Sequence, residues 1–211
     1  MSVASTPSFD AVLPKDMAAK AESVGVTKSK LGFFRMLALA VLAGAFIAMG
    51  AVFATTVSAG SMTVRAADGT AAFIIGLPFG VTRLLAGLAF SLGLILVIVG
   101  GAELFTGNTL IVMAWVSRKV TTSDLLRNWA VVYVGNFVGA LLTALFMFLS
   151  RQYVFGNGAI GTAILNTGVA KTSLEFIPAV ALGIFCNALV CLAVWLCFSA
   201  RTTTDRILSI V

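Results

Sequence analysis

A single apolar run from Gly76 to Trp115 is interrupted by Gly100-Gly101-Ala102-Glu103-Leu104-Phe105-Thr106-Gly107-Asn108. The run is about twice the ~20 residues that cross a bilayer as one helix, so it is not one straight span. An acidic side chain at the centre of a spanning helix costs roughly 2.5–3.5 kcal/mol. Backbone N–H and C=O groups released at the glycines add to that cost unless protein or a wet cavity takes them. Both demands are met by a spanning helix that breaks at Gly100–Asn108 and resumes as a half-helix around Thr109–Trp115. Broken helices of this kind line solute pathways in transporters. Gly100, Gly101, Glu103, Gly107 and Asn108 are therefore expected to shape the break.

The rest of the chain is of the same character. Of its 211 residues 60% are hydrophobic and 10% charged, the composition of an integral membrane protein. Three further apolar segments, Leu31–Val57, Leu125–Leu149 and Phe176–Phe198, lie near spanning length. The fold expected is an all-α integral membrane bundle with four complete spans, a broken second span and negligible strand. The first thirty residues lack the apolar core of a signal peptide. Ser8 to Lys30 reads instead as an interfacial amphipathic helix, with Phe9, Val12, Leu13 and Met17 on one side and Lys15, Asp16, Lys20 and Glu22 polar. The chain thus divides into an N-terminal cytoplasmic amphipathic helix, 1–30, and a transmembrane channel domain, 31–211. Gly44-x-Phe46 and Gly183-x-Phe185 echo each other weakly, as inverted repeats do. Asp205–Val211 reads as a loop entering a fifth apolar span, so the channel domain is expected to be incomplete at its C-terminus.

The net charge of +6 does not point to nucleic acid, because the bases sit in short loops between apolar runs. With the N-terminus inside, the inner segments hold Lys15, Lys20, Lys28, Lys30, Arg35, Arg118, Lys119, Arg127, Arg201 and Arg206. The outer segments hold only Arg65, Arg83, Arg151 and Lys171, the bias of the positive-inside rule. Trp115, Trp129, Tyr133 and Trp195 fall near span ends and suit an aromatic belt. Cys186, Cys191 and Cys197 have no zinc-ligand spacing and no histidine accompanies them, so no metal or cofactor is expected. No phosphate loop, nucleophile elbow or paired catalytic acids are present, which argues against an enzyme.

Several motifs now agree in order. Ala102-Glu103-Leu104-Phe105-Thr106-Gly107-Asn108 resembles the broken second helix of the formate/nitrite transporter family. Gly135-Asn136-Phe137-Val138-Gly139 is similar to its third-helix Gly-Asn-x-x-Gly signature, and Gly183 to Trp195 to its fourth helix. Phe9-Asp10-Ala11-Val12-Leu13-Pro14, with Met17-Ala18 and Gly25-Val26, resembles the leader helix of the formate-channel branch. The resemblance runs over essentially the whole chain. It implies an aquaporin-like protomer with a pore of its own, in a homopentamer of a bacterial inner membrane.

The resemblance also implies residue roles. Thr106 falls at the loop threonine that hydrogen-bonds the anion, and Leu104 at one constriction. Phe90, Leu94 and Val190 fall at the other constriction, Asn187 at a pore-lining amide, and Lys171 at the lysine that draws anions in. The family's pore histidine, carried on a fifth helix, has no counterpart among these residues. Independently, the half-helix after Gly107 points its N-terminal N–H groups at the break, which favours an anion by roughly 0.3–1 kcal/mol. Thr106, Asn108 and Thr109 are good N-cap types for it. Phe90 and Leu94, four apart, share a helix face.

Alternatives stay open for each residue. Glu103 either accepts hydrogen bonds that hold the break rigid or touches the solute. Lys171 either snorkels or attracts anions, and Asn187 is either interhelical glue or pore lining. Phe90, Leu94, Leu104 and Val190 would otherwise be packing residues, and Gly135-x-x-x-Gly139 marks close helix packing. The function implied is a channel for small monovalent anions, formate first, proton-coupled or pH-gated in a complete protein. Nitrite and hydrosulfide come next, and a non-conducting, truncated fragment with an assembly role is the competing class.

Overall fold

The computed structural model describes residues 11–60, 62–65 and 71–211; Ser8, Phe9 and Asp10 of the leader segment lie outside them. Eight helices follow in order among the described residues: α1 (Pro14–Ser29), α2 (Phe33–Ser58), α3 (Phe79–Gly100), α4 (Phe105–Val116), α5 (Thr122–Leu149), α6 (Ala159–Thr172), α7 (Phe176–Ser199) and α8 (Thr203–Ile210). Helices α2, α3, α5 and α7 are long and apolar enough to cross a membrane, and the chain is a multi-pass membrane protein built on them. Their ends follow chain chemistry. Pro14, with its fixed φ and missing N–H, opens α1. The Thr121 hydroxyl accepts the Asp124 N–H to cap α5, and Thr202 and Asp205 form a capping box for α8.

Helix α2 is the hub, packed along α3 on one side and α5 on the other. Lipid removes most of the hydrophobic drive between helices, so close backbone approach over small residues does the work. A Cβ added at Gly44 would lie 2.0 Å from the Asn136 carbonyl oxygen, and one at Gly139 2.0 Å from that of Val41. Gly50 and Gly93 face each other between α2 and α3 in the same way, a Cβ on Gly50 lying 3.0 Å and one on Gly93 3.4 Å from the other's backbone. The expected packing role of Gly135-x-x-x-Gly139 is realised against Ala40, Val41 and Ala45.

The expected all-α membrane bundle is the fold found, with one short addition: Met62–Arg65 (β1) and Ala71–Ile75 (β2) pair antiparallel between α2 and α3, at the end of the bundle away from α1. β-Branched and apolar residues flanking a short connection make a hairpin there. Of the apolar side expected for the leader helix, Leu13 is 69% exposed just ahead of α1, while Met17 is buried within α1. Its buried stripe is Met17, Ala21, Gly25 and Ser29, one residue per turn, which lets the backbone close on α4 with Gly25 facing Ala114. Between α5 and α7, Ala159–Thr172 forms α6. One expectation needs correction: the break is shorter than expected. The chain leaves helix only at Gly101–Leu104 and resumes at Phe105, as an α-turn through Asn108, a 3-10 turn over Thr109–Ile111, then α-helix to Val116. Thr106, Gly107 and Asn108 are thus inside the resumed helix.

Candidate functional site

The break is built from its glycine outward. Gly101 takes φ +70°, a left-handed conformation open to glycine. The Gly101 and Ala102 N–H groups close back on the α3 end, that of Ala102 reaching the Val97 carbonyl at 3.0 Å. The Glu103 N–H donates to the Leu39 carbonyl of α2 at 3.2 Å. Asn136 of α5 then takes the remaining groups. Its Nδ2 donates to Ala40 O at 2.7 Å and Glu103 O at 2.9 Å, while its Oδ1 accepts the Phe105 N–H at 2.8 Å. Protein, not lipid, satisfies the interrupted backbone.

Below this lies a buried polar cluster. The Glu103 side chain, in a residue 4% exposed, accepts Lys28 Nζ at 2.8 Å on Oε1 and Asn108 Nδ2 at 2.7 Å on Oε2. Lys28 Nζ also donates to Asn108 Oδ1 at 3.0 Å. Asn108 Nδ2 donates to Asn128 Oδ1 at 3.0 Å, and Asn128 Nδ2 to the Lys28 carbonyl at 3.2 Å. Trp129 Nε1 donates to the Asn108 carbonyl at 3.0 Å. α1, the break and α5 are therefore tied by one network, and the buried carboxylate is compensated by an ammonium.

The network corrects the capping expected at the resumed helix. The N-cap position is Leu104, with no side-chain cap; Asn108 is committed to Glu103, Lys28 and Asn128, and Thr109 Oγ1 donates to Thr106 O at 2.7 Å. Trp129 is half-buried, edge-to-face with Phe105 at 6.4 Å. Sequence reasoning treated Lys28 only as an orienting base and missed Asn128 and Asn136 as scaffold. The available signal was polar side chains recurring inside apolar spans.

The pathway candidates divide into those that meet and those that do not. Leu94 and Leu104 are buried together with Ala43, Val97 and Ala102, and Val190 of α7 packs on that cluster. One turn along α3, Phe90 is 39% exposed and outside the cluster. Thr106 sits against α7: its carbonyl accepts from Cys191 Sγ at 3.6 Å, and Asn187 Nδ2 donates to Thr109 Oγ1 at 3.5 Å. Gly107 faces Val194. Lys171 is on the exposed last turn of α6, a helix that packs on α2 and the Gln152–Val154 turn.

A cavity of about 410 Å³ opens between α1, the break, α7 and α8, lined among others by Lys20, Lys28, Glu103, Leu104, Gly107 and Arg206. Three bases face one acid there, and that acid is already paired with Lys28, so the cavity favours anions. Lys20 Nζ donates to the Phe198 carbonyl at 2.9 Å at the C-terminal end of α7. In sequence Lys20 and Arg206 counted only as orienting bases, because only folding brings α1 and α8 to one wall.

At the far side of α1, Glu22 accepts hydrogen bonds from Lys119 and Ser117 of the α4–α5 loop. Lys119 first, then Ser117, hold its carboxyl below the ordinary glutamate range. A lowered folded value means this tie is fully present above the ordinary glutamate pKa of ~4.3 and is lost as pH falls through the lower value. Hydrogen exchange of α1 amides should therefore be unchanged between pH 8 and 6 after correction for intrinsic rates and rise below about pH 4. Glu22→Gln should show the faster exchange already at pH 7.

The comparisons with known proteins fit this geometry. The formate/nitrite transporter family model matches residues 15–211. The chain is 43% identical over 198 residues to the formate channel FocA of Escherichia coli K12, covering 94% of this chain and 65% of that protein. It is 39% identical over 196 residues to FocA of Haemophilus influenzae, covering 93% and 64%. A solved pentameric formate channel with formate bound superposes with a TM-score of 0.71 at 39% identity, covering 85% of this chain and 65% of that one. The chain thus spans somewhat under two thirds of the length of these relatives. The chain belongs to the formate/nitrite transporter family.

Proposed function

We propose that this protein is a channel for small monovalent anions, formate foremost, working as a homopentamer in a bacterial inner membrane with its N-terminus in the cytoplasm. The observation that carries the reading is the break itself. A non-helical segment inside the span is held by Asn136 and the Lys28–Glu103–Asn108 cluster, so that Leu104 and Thr106 face α7 next to a basic cavity. Formate is the solute named for the pentameric relative with ligand bound, and the FocA relatives are named as formate channels.

On this reading an anion enters the cavity under the attraction of Lys20, Lys28 and Arg206. Leu94, Leu104 and Val190 form an apolar gate, where shedding water from a carboxylate is costly. The Thr106 hydroxyl offers a hydrogen bond just beyond the gate and offsets part of that cost. Lys171 draws anions on the opposite face and Phe90 narrows the approach there. Glu103 acts on the scaffold, since Lys28 and Asn108 already occupy its two oxygens.

Uptake of radiolabelled formate into proteoliposomes of the protein at its natural length tests this. Saturable uptake above empty vesicles is expected, and uptake equal to empty vesicles overturns the reading. Thr106→Val should cut the rate about 2- to 10-fold, the worth of one hydrogen bond, with the oligomer intact by native mass spectrometry. An unchanged rate removes Thr106 from the pathway.

A further inference from the structure

The cavity on the α1 side of the break holds more charge than a monovalent anion can match. Lys20, Lys28 and Arg206 line it, and Glu103 is the one acid among the described residues that do. The nearby Asp205 is committed to the Arg201 and Thr202 N–H groups, where it caps α8. Three bases against one acid leave two positive charges unmatched. The two lysines are held by contacts within the described chain, and each keeps a donor to give. Lys20 Nζ uses one of its three protons on the Phe198 carbonyl, and Lys28 Nζ two of its three on Glu103 and Asn108. The Arg206 guanidinium is in no ion pair among the described residues. The volume of about 410 Å³ has room for on the order of ten waters, far more than formate fills.

We infer that this cavity is a binding site for a divalent phosphoryl-type oxyanion, which enters from the α1 face, neutralises both unmatched charges and plugs the pathway. This rests on the channel reading above and adds a regulation to the same pathway. A phosphoryl group presents several acceptor oxygens at once, suited to one arginine fork and two lysine point charges around a common volume. It goes no further. Beyond the cavity stand Leu94, Leu104 and Val190. The cost of taking an ion out of water rises with the square of its charge, so a dianion meets about four times the cost of a monoanion there. The cavity admits what the apolar gate rejects, and formate is held up behind it.

Formate current through the protein at its natural length in a planar bilayer tests this, with anions added to one chamber at a time at pH 8 and matched ionic strength. Inorganic phosphate should halve the current from one face at a concentration about 10-fold or more below that needed from the other, and chloride should not reproduce the block. Methyl phosphate is the second arm. Block by both anions makes phosphate esters a source of the ligand, and block by inorganic phosphate alone makes it the free ion. Coulomb energy scales with the charge of the ligand. Arg206→Gln should therefore raise the half-blocking phosphate concentration by the square of its effect on half-saturating formate, about 4-fold against about 2-fold. Arg206→Lys, which keeps the charge, should keep most of the block. The wild-type difference between faces stands whether or not the variants assemble. No block, equal block from both faces, or equal factors for the two anions in Arg206→Gln overturns the proposal. Formate current without a one-sided block removes this inference alone; no formate current removes the channel reading and this inference with it.

Discussion

Lys28→Met should lower stability by about 2–4 kcal/mol. A pair buried at both ends loses roughly 3–5 kcal/mol when one partner is removed. Here the Glu103 side chain is only 5% exposed but that of Lys28 is 28% exposed, so solvent screening takes part of that away. Methionine leaves the Glu103 carboxylate with Asn108 as its one remaining side-chain partner among the described residues. Thermal unfolding in detergent should shift down by on the order of 10 °C. Lys28→Met combined with Glu103→Gln should recover more than half of the loss, because the uncompensated charge is gone. A double variant no better than the single would show that the ammonium's packing, not its charge, is what matters.

Asn136→Leu should cost about 2–5 kcal/mol. It orphans Glu103 O and the Phe105 N–H together and removes the second bond on Ala40 O, which keeps its partner in the α2 ladder. Each unpaired buried group costs about 1–3 kcal/mol, and membrane hydrogen bonds measure at the low end of such scales. Relief by sliding α5 is blocked, because Gly44 already lies against the Asn136 backbone. The same thermal melt reads the loss, and formate uptake should fall with it as the break loses its support. An Asn136→Leu protein with wild-type melting would mean that water supplies these bonds instead.

These two residues also mark where the sequence stopped being legible. The spans were readable because hydropathy is a property of consecutive residues; α2, α3, α5 and α7 match the apolar segments to within a few residues at each end. The break was readable as a place, since glycine and glutamate in an apolar run have few explanations. Its extent was not. Helix resumes at Phe105 with no local cap, supported by an asparagine thirty-one residues away, and no local pattern encodes such a partner. Lys28 looked like one base among several, and its role depends on α1 folding back over α4. The strand pair was hidden in a Thr- and Ala-rich connection just ahead of the span that begins at Gly76. Among the pathway candidates, Leu94, Leu104 and Val190 do share one cluster, while Phe90 and Lys171 stand apart from it within this chain.

The central claim is that solute passes through the break at Thr106. A Thr106→Cys variant in a background where Cys186, Cys191 and Cys197 are serine tests it most directly, by labelled formate uptake before and after a charged methanethiosulfonate reagent. The account predicts that modification stops uptake and that excess formate slows modification. Full modification with uptake unchanged would contradict it.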